Sequence, residues 1–473
     1  MKRRDFLLLS TCFAASCAQI EKTLPKIENG DDDILNDIKR RTFDFFWQTT
    51  NPETGLTPDR WPSPSASSIA GVGMALTSYV IGVENKYITR DQAKTRTINT
   101  LKFLYSLKQG PEPRGNAGFK GFFYHFLDTK TGERLANCEL STIDTALLMA
   151  GVLFAGDYYS NDDDIEAEIR NLAKKLFDRI DWQWATNNRE ILSMGWHPET
   201  GFINSDWNGY SEAMILYIMA IGAQNNALSP ASWNAWCKTY DGSWGEYENI
   251  KHLIFPPHFG HQYSHSWIDF RNIKDAAMEK YGIDYFENSR RATYAQRTYA
   301  INNPKKWRGY SQNIWGITAC DGPHDIELEY MGQKRRFISY AGRGAGIKGN
   351  ENTYDDGTIA PTAAAASIAF APEIVIPAIK EMKAKYGQYI YEKYGFLDSF
   401  NPSFEYNIKP QHGKIIKGFG WVDGDYLAID QGPIIIMIEN HQSNFVWNLM
   451  KNNTILRRGL VASGFKGGYL VAK

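Results

Sequence analysis

Acidic residues stand at the start of three long apolar segments of this sequence. Glu139 and Asp144 begin ELSTIDTALLMAGVLFAG, Glu212 begins EAMILYIMAIG, and Asp430 precedes QGPIIIMIEN. Any one of these acids could simply cap a helix, and Ser141 and Asp144 have the spacing of a capping box. Acids at the starts of three apolar helices nevertheless indicate a site, because a buried carboxylate without a partner is costly.

The chemistry that such acids can perform together is cleavage of a glycosidic bond. One carboxylic acid must protonate the leaving oxygen, while a second carboxylate activates water or attacks the sugar. As an N-cap, with Pro433 in the first helical turn, Asp430 would remain ionised and serve as the base. Glu212 is flanked by Trp207 and Tyr210, and burial against these rings would favour its protonated form, as the acid requires.

A second concentration of polar and aromatic residues is the segment FPPHFGHQYSHSWIDFR. Its histidines, His258, His261 and His265, have spacings that metal ligands also show. The glutamate of a zinc-hydrolase motif is missing, so hydrogen-bonding histidines in a polar cleft are the better interpretation, and neither a metal nor a cofactor is predicted. Side chains expected to stack on or hydrogen-bond to a sugar also include Trp207, Tyr210, Tyr263, Trp267, Arg271, Trp315, Asp321, Arg343 and Trp421.

Helices must position these residues, because the apolar residues recur mostly at helical spacing. Some segments are apolar on one side and others on all sides. The one-sided segments are 35–46, 98–105 and 165–176, and the others are 70–82, 143–155, 213–223, 360–371 and 434–438. A helix without a polar face must be surrounded by protein, so the alternation predicts two concentric rings, an α/α toroid. Short β-hairpins within 119–126 and 418–422 and long loops within 225–265 are expected at its rim.

The composition and the missing motifs exclude several functions. The 473 residues include 52 basic and 53 acidic side chains and no basic block beyond the N-terminus, so nucleic acid is not an expected partner. No nucleophile elbow is present, which argues against a serine hydrolase. The glycine-rich stretch SYAGRGAG follows no hydrophobic strand, which argues against a phosphate cradle. The aromatic content of 14% suits a cleft that stacks on a sugar.

Residues 1–19 have the pattern of an export signal. A basic start and an apolar run precede small residues and Cys17. The ending AASC resembles a lipobox and RRDFL resembles a twin-arginine signal, so the protein is expected in the periplasm or outer membrane. Its only expected membrane attachment is a lipid on Cys17. Residues 20–31 are expected to be a polar linker, and residues 32–473 a single catalytic domain that is monomeric.

Several motifs together resemble glycoside hydrolase family 144, the glucoamylase-like family of bacterial proteins. They are the start SEA at Ser211, FGHQYSHSWIDFR, WGITACDGP, DDGTIAPTAAAASIAFAPE and DYLAIDQGPIIIMIEN. The likeness extends from about Asp32 to the C-terminus. It implies an (α/α)6 toroid that hydrolyses β-1,2-glucan by an inverting route without a metal. The action would be endo, or exo with release of sophorose.

The resemblance also implies roles for the acids. Glu212 falls at the position of the family's acid, with Asp144 and Glu139 in an acidic group beside it. An aspartate of the DYLAID stretch lies opposite, which leaves Asp425 and Asp430 as alternatives for the base. The capping argument favours Asp430.

Two other functions remain open at this point. A polysaccharide lyase of the same fold would abstract a proton with residues such as Tyr263, His265 and Arg271. A surface lipoprotein that only binds glycans would use the same aromatic cleft without turnover. The many neutral donors and rings favour an uncharged glucan over a uronate polymer, which would need more clustered Arg and Lys.

Overall fold

The computed structural model describes residues 29–344 and 354–471. The predicted export signal, Cys17 and the first part of the predicted linker therefore lie outside the described residues. The first helix begins at Asn29, so residues 29–31, which were expected in the linker, form its first turn. Within the described ranges, no helix is both long enough and apolar enough to cross a membrane.

Helices form the body of the domain. In chain order they are α1 (Asn29–Thr49), α2 (Ile69–Glu84), α3 (Arg90–Ser106), α4 (Thr142–Tyr158), α5 (Asp164–Asp178), α6 (Met214–Gly222), α7 (Ala231–Cys237), α8 (Tyr240–Ser243), α9 (Tyr263–Trp267), α10 (Ala276–Tyr281), α11 (Tyr285–Asn302), α12 (Pro361–Ala365), α13 (Pro372–Ile390), α14 (Ala428–Ser443), α15 (Phe445–Met450) and α16 (Thr454–Ala462).

Strands are short and form sheets of two or three strands. In chain order they are β1 (Arg60–Trp61), β2 (Ser67–Ser68), β3 (Gly118–Phe119), β4 (Phe122–Phe123), β5 (Phe126–Leu127), β6 (Leu140–Ser141), β7 (Gly195–His197), β8 (Gly201–Phe202), β9 (Trp244–Tyr247), β10 (Ile250–Leu253), β11 (Ile273–Lys274), β12 (Ala319–Asp321), β13 (Ile326–Tyr330), β14 (Gln333–Phe337), β15 (Tyr340–Gly342), β16 (Tyr391–Glu392), β17 (Gly395–Phe396), β18 (Phe400–Asn401), β19 (Lys414–Ile416), β20 (Gly420–Val422), β21 (Tyr426–Leu427) and β22 (Lys466–Gly467).

The helices form two concentric rings, as predicted. In the inner ring, α2 packs against α4 and α14, α6 packs against α4, and α9 and α12 pack against α14. In the outer ring, α1 packs against α2 and α14, α3 and α5 against each other, α13 against α12, and α16 against α6. Every residue of α6 is buried, which explains why the inner helices have no polar face. The architecture is an (α/α)6 toroid.

Glycines bring inner helices α2 and α4 into close contact. A Cβ atom at Gly151 would lie 1.9 Å from the carbonyl oxygen of Gly73, and one at Gly73 would lie 2.3 Å from the carbonyl oxygen of Leu147. Neither position leaves room for a side chain. The backbones of the two helices therefore touch, which fixes the spacing of the helix starts that carry the acids.

The short strand pairs tie together the segments that precede the inner helices. β1 pairs with β21, β2 with β5, and β6 with β7. In addition, the amide of Ile69 donates to the carbonyl of His125, whose own amide donates to the carbonyl of Glu139. The starts of α2, α4 and α14 consequently meet at one end of the toroid, which we call the rim.

The first and last parts of the chain close the ring. Besides the β1–β21 pair, the ammonium of Lys39 on α1 lies 3.0 Å from the carboxylate of Glu439 on α14, and both side chains are almost fully buried. The ion pair and the strand pair therefore join α1 and the segment after it to α14 and the segment before it.

Some details differ from the sequence-based expectation. The predicted helix 360–371 is helical only over Pro361–Ala365, followed by turns. Ile165 and Tyr105, which were expected on buried faces, are 43% and 44% exposed. Residues 225–265 are not only loop, because they contain α7, α8 and the hairpin β9–β10. The predicted hairpins around 119–126 and 418–422 are present as β3–β4 and as β20 with its neighbours.

The contact between α2 and α4 can be tested by Gly151→Ala. The added methyl overlaps the backbone of Gly73, so we expect a loss of about 1–3 kcal/mol or more in the free energy of unfolding, measured in urea. Gly387→Ala in α13 is the matched control, since a Cβ there meets only ordinary contacts. This control should gain up to about 1 kcal/mol from helix propensity. Equal effects of the two substitutions would contradict the close packing.

Candidate active site

Glu212 lies at the rim, in a turn immediately before α6. It is buried, and its Oε2 has no hydrogen-bond partner. Burial raises the pKa of Glu212 to about 7, and the charge of Asp144 contributes to the rise. A carboxyl group that keeps its proton near neutral pH can donate it, so this position has the property of a general acid.

Next to Glu212, a histidine connects two acids. The Nδ1 of His125 lies 2.8 Å from Glu139, and its Nε2 lies 3.6 Å from Asp144. Asp144 also accepts a hydrogen bond from Ser141 at 2.5 Å. Although burial alone would lower the pKa of His125, the charges of Asp144 and Glu139 raise it to about 9. His125 is therefore a cation at neutral pH, and although burial alone would raise the pKa of Glu139, the hydrogen bond and charge of His125 lower it.

On the opposite side of the rim, acids from distant segments of the chain lie close to Arg60. Its Nη1 lies 2.5 Å from Asp321 and 3.8 Å from Asp425. Asp425 also accepts the backbone N–H of Ser63 at 2.9 Å. Asp425 therefore lies against a guanidinium and a backbone N–H, contacts that suit a carboxylate in the position of a general base.

Three further aspartates fill the space beside Arg60. Asp398, Asp423 and Asp430 are almost fully buried, and each has one oxygen without a hydrogen-bond partner. Burial and the charge of Asp321 raise the pKa of Asp398 to about 6. Burial and the charge of Asp398 raise the pKa values of Asp423 and Asp430 well above the usual range. Protonated and ionised carboxyl groups therefore lie side by side here.

The same aspartates have the spacing of cation ligands. One oxygen from each of Asp321, Asp398 and Asp423 lies within 4.8 Å of the others. The guanidinium of Arg60, 2.5 Å from Asp321, already supplies positive charge at this point. The group can therefore be compensated by Arg60 and by protons on its members.

Tyr263 connects the two sides of the rim. Burial raises its pKa well above the usual range, and the charges of Asp430, Glu212 and Asp144 act in the same direction. Its hydroxyl thus lies within electrostatic reach of Glu212 on one side and Asp430 on the other. Glu212, Asp144 and Asp430, from three separate segments, therefore all act on the same tyrosine.

The predicted capping role of Asp430 is wrong. The N-cap of α14 is Leu427, without a side-chain hydrogen bond, and Asp430 is the third residue of the helix. Pro433 consequently lies inside α14 and not in its first turn. The cap argument for an ionised Asp430 is removed, because the buried carboxyl group retains its proton.

Four predicted contact residues line the Glu212 side of the rim or support it. Trp207 donates from Nε1 to Thr142 at 2.9 Å, and the hydroxyl of Tyr210 lies 2.9 Å from Nδ1 of His261. His258 lies against the hydroxyls of Ser367 and Thr293, at 2.9 and 3.2 Å. Burial lowers the pKa of His258 to about 3, so this ring is neutral and hydrogen-bonding.

Other predicted contact residues belong to the core. His265 contacts Ser289 and packs between Phe270 and Phe370, and Trp267 donates to Thr77 in the middle of α2. Aromatic rings pack in a hydrophobic core as readily as they stack on a sugar. The sequence alone therefore could not show which of these residues lie in the core. The predicted contact residues that are fully enclosed in this way are His265, Trp267, Trp315, Arg343 and Trp421.

Arg271 lies at the other end of the toroid. It pairs with Asp269, contacts Asn444 at the C-terminal end of α14, and stacks on Trp447. Asn444 follows Asp430 by 14 helical residues, a distance of about 21 Å at 1.5 Å per residue. Of the residues that a lyase would use, Arg271 therefore lies far from Asp430, and His265 packs, like Arg271, against Phe286.

Sequence reasoning missed Arg60, His125, Asp398 and Asp423. Asp423 is within the WVDGDY stretch and two residues from Asp425, so its position was a usable signal. Arg60, His125 and Asp398 stand in short segments without a helical pattern, and only the folded rim brings them together. Nothing in their local sequence could have shown this.

Fold and site together define a class of protein: an (α/α)6 toroid with a carboxylate-lined cleft at one end. Residues 204–454, which include Glu212, Asp398, Asp425 and Asp430, match the Glycoamylase family model of glucoamylase proteins. The chain belongs to this glucoamylase-like family, as its motifs indicated.

Named relatives and solved structures agree with this assignment. A protein of Parabacteroides distasonis, named exo beta-1,2-glucooligosaccharide sophorohydrolase (non-reducing end), is 25% identical over 462 residues, 91% of this chain. The chain spans 57% of the length of that relative. The endo-beta-1,2-glucanase of Chitinophaga pinensis, solved with sophorotriose and glucose, is 25% identical with a TM-score of 0.78, over 93% of this chain and 99% of that one. The beta-1,2-glucanase of P. distasonis shares the fold, with 23% identity and a TM-score of 0.77, over 92% of this chain and 60% of that one.

The protonation of Asp398 can be tested by Asp398→Asn. The pKa of Asp398 is about 6 in the folded protein, above its ordinary value of 3.8, so the folded state binds this proton more tightly than the unfolded state. The free energy of unfolding must then fall as the pH rises from about 4 to about 6. An asparagine at position 398 cannot ionise, so the variant does not lose this part of its stability as the pH rises. Asp398→Asn should therefore be more stable than the parent at pH 7.5, by on the order of 2 kcal/mol, and closer to it at pH 4, in urea unfolding.

Asp356→Asn is the contrasting control. Asp356 accepts two hydrogen bonds from the fully buried guanidinium of Arg343, at 2.8 and 2.9 Å. Its loss leaves a buried charge unpaired and should cost about 3–5 kcal/mol at pH 7.5. If Asp398→Asn were instead most destabilising at pH 7.5, the fold would have to stabilise the ionised form of Asp398, and its pKa would not be raised.

Proposed function

We propose that this protein hydrolyses β-1,2-glucan by an inverting acid–base mechanism. Glu212 protonates the leaving oxygen, and Asp425 activates the attacking water. The observation that carries the proposal is the buried Oε2 of Glu212, which has no partner, together with an Asp425 that lies against the guanidinium of Arg60 and the backbone amide of Ser63. Two carboxyl groups in opposite protonation states are what glycoside hydrolysis requires. The names of the relatives supply the linkage.

The oxygens without partners favour an uncharged, hydroxyl-rich substrate. Asp398, Asp423 and Asp430 each have a buried oxygen that can accept a hydrogen bond. A glucan brings many O–H donors, whereas an acidic polysaccharide would bring negative charge into an already acidic cleft. A neutral glucan therefore satisfies these oxygens at the lowest electrostatic cost.

Asp425 is preferred over Asp430 as the base because of its contacts. The amide of Ser63 and the guanidinium of Arg60 stabilise negative charge on Asp425. Burial and the charges of Asp398 and Asp321 raise the pKa of Asp430 well above the usual range, which favours its protonated form. A protonated carboxyl group cannot take a proton from water.

His125 supports the acid through its neighbours. It lies 2.8 Å from Glu139 and 3.6 Å from Asp144, and the charge of Asp144 helps Glu212 to keep its proton. His125 therefore acts as a positioning residue, since it touches the acids beside Glu212. Export, the lipid on Cys17 and the monomeric state remain predictions from the sequence.

Glu212→Gln tests the proposed acid. The amide has the same shape and cannot donate the acidic proton, so kcat on β-1,2-glucan should fall by about 10²–10⁴-fold. The release of reducing ends and sophorose, followed by chromatography, measures this loss. Binding of the glucan, measured by calorimetry, should persist because the fold does not depend on an atom without a partner.

Asp425→Asn and Asp430→Asn form a matched pair for the base. Asp425→Asn should lose as much activity as Glu212→Gln, whereas Asp430→Asn replaces a carboxyl group that is already neutral and should keep more. Full activity of Glu212→Gln would show that Glu212 is not the general acid. If Asp430→Asn lost activity while Asp425→Asn kept full activity, Asp430 and not Asp425 would be the general base.

The pH dependence tests the role of His125. The parent kcat/KM should decline on the alkaline side near pH 7, where Glu212 loses its proton. His125→Gln removes a cation and leaves the charges of Asp144 and Glu139 uncompensated, which should raise the pKa of Glu212 and move this decline to higher pH. Asp144→Asn removes a negative charge and should move it to lower pH. If both variants moved the alkaline decline in the same direction, His125 would not have this electrostatic role.

A further inference from the structure

A large groove lies on the outer ring, away from the cleft. It runs between the ends of α3 and α5, beside the hairpin β3–β4, and has a volume of about 870 Å³. The side chains that matter for its chemistry are Tyr105, the basic residues Lys120, Lys174, Lys175 and Arg179, and one acidic residue, Asp178, which pairs with Lys174. It shares no residue with the cleft around Glu212.

Arg179 is the unusual residue of this groove. Its Nε is buried without a hydrogen-bond partner, and its one side-chain hydrogen bond within the described part of the chain runs from Nη2 to the carbonyl of Leu104 at 3.4 Å. Burial lowers its pKa to about 10. The rings of Phe123 and Tyr105, at 5.0 and 5.8 Å, compensate only part of the charge. Burying a guanidinium away from water without an anionic partner costs free energy. We therefore expect an anion to bind at Arg179.

Lysines add further positive charge. Lys174 and Lys120 are each paired with an aspartate. Lys175 makes no salt bridge with the residues that the structure describes, and its ammonium lies 5.6 Å from the centre of the Tyr105 ring. Lys175 and Arg179 therefore flank the ring as two cations without an anionic partner.

Two unpaired cations match the charge of a phosphate monoester, which is about −1.5 to −2 at neutral pH. Guanidinium and ammonium groups both form strong charge-assisted hydrogen bonds to phosphate oxygens. The groove is larger than a phosphate group, and the ring of Tyr105, 44% exposed, offers a flat surface for an organic part. We propose that this groove binds a phosphate monoester, with Arg179 and Lys175 on the phosphate and Tyr105 against the organic part.

The experiment titrates the full chain with glucose 6-phosphate, inorganic phosphate and glucose at constant ionic strength, followed by calorimetry. Glucose 6-phosphate should bind more tightly than inorganic phosphate, and glucose should not bind the groove.

Lys175→Gln should weaken binding of glucose 6-phosphate by roughly tenfold or more, because a charge-assisted hydrogen bond is lost. Lys102→Gln is the matched control, since Lys102 lies on α3 and pairs with Glu168 outside the groove. Arg179→Gln should abolish binding, and the exposed Lys175 keeps the test valid if that variant fails to fold.

Several results would overturn the proposal. They are no binding of glucose 6-phosphate, equal binding by the parent and Lys175→Gln, or inorganic phosphate binding as tightly as the ester. Sedimentation with phosphatidylglycerol vesicles without binding of glucose 6-phosphate would replace the monoester by a lipid phosphate and overturn it as well. Hydrolysis of β-1,2-glucan by Lys175→Gln should equal that of the parent, so these outcomes are independent of the proposed activity.

Discussion

The cleft depends on an excess of carboxyl groups over cations in a space from which water is largely removed. So many negative charges cannot coexist there, since each lowers the tendency of its neighbours to ionise. Arg60 supplies positive charge beside Asp321 and Asp425, while burial and the charge of Asp398 raise the pKa values of Asp423 and Asp430 well above the usual range. The same constraint that makes the rim costly to fold therefore produces the mixture of acids and bases that hydrolysis uses.

Much of the fold was readable from the sequence because burial leaves a strong pattern. Helices that are apolar on all sides have no solvent-facing option, so their alternation with one-sided helices predicted the two rings. The acids at the helix starts followed from the same pattern, because a polar group tolerated in such a helix lies at its end. Glu212 was assigned as the acid from its flanking rings, and its burial has the expected effect on its pKa.

The rest was not readable because it depends on where separate segments meet. The start of α14 differs by only a few residues from the expected one, yet this removes the capping role of Asp430. Arg60 reaches Asp321 across 261 positions of sequence, and His125 meets Asp144 only through the strand pairs of the rim. Trp267 illustrates the opposite problem, since a ring in a polar segment turned inward to the core.

The seam between β1 and β21 has a consequence for how the protein is made. Arg60 and Trp61 pair with Leu427 and Tyr426, so the ring stays open until a ribosome has produced nearly the whole chain. Contacts of such long range form slowly, and the early segments expose apolar faces while they wait for partners. The part of the rim where Arg60 meets Asp425 is therefore completed only at the end of synthesis.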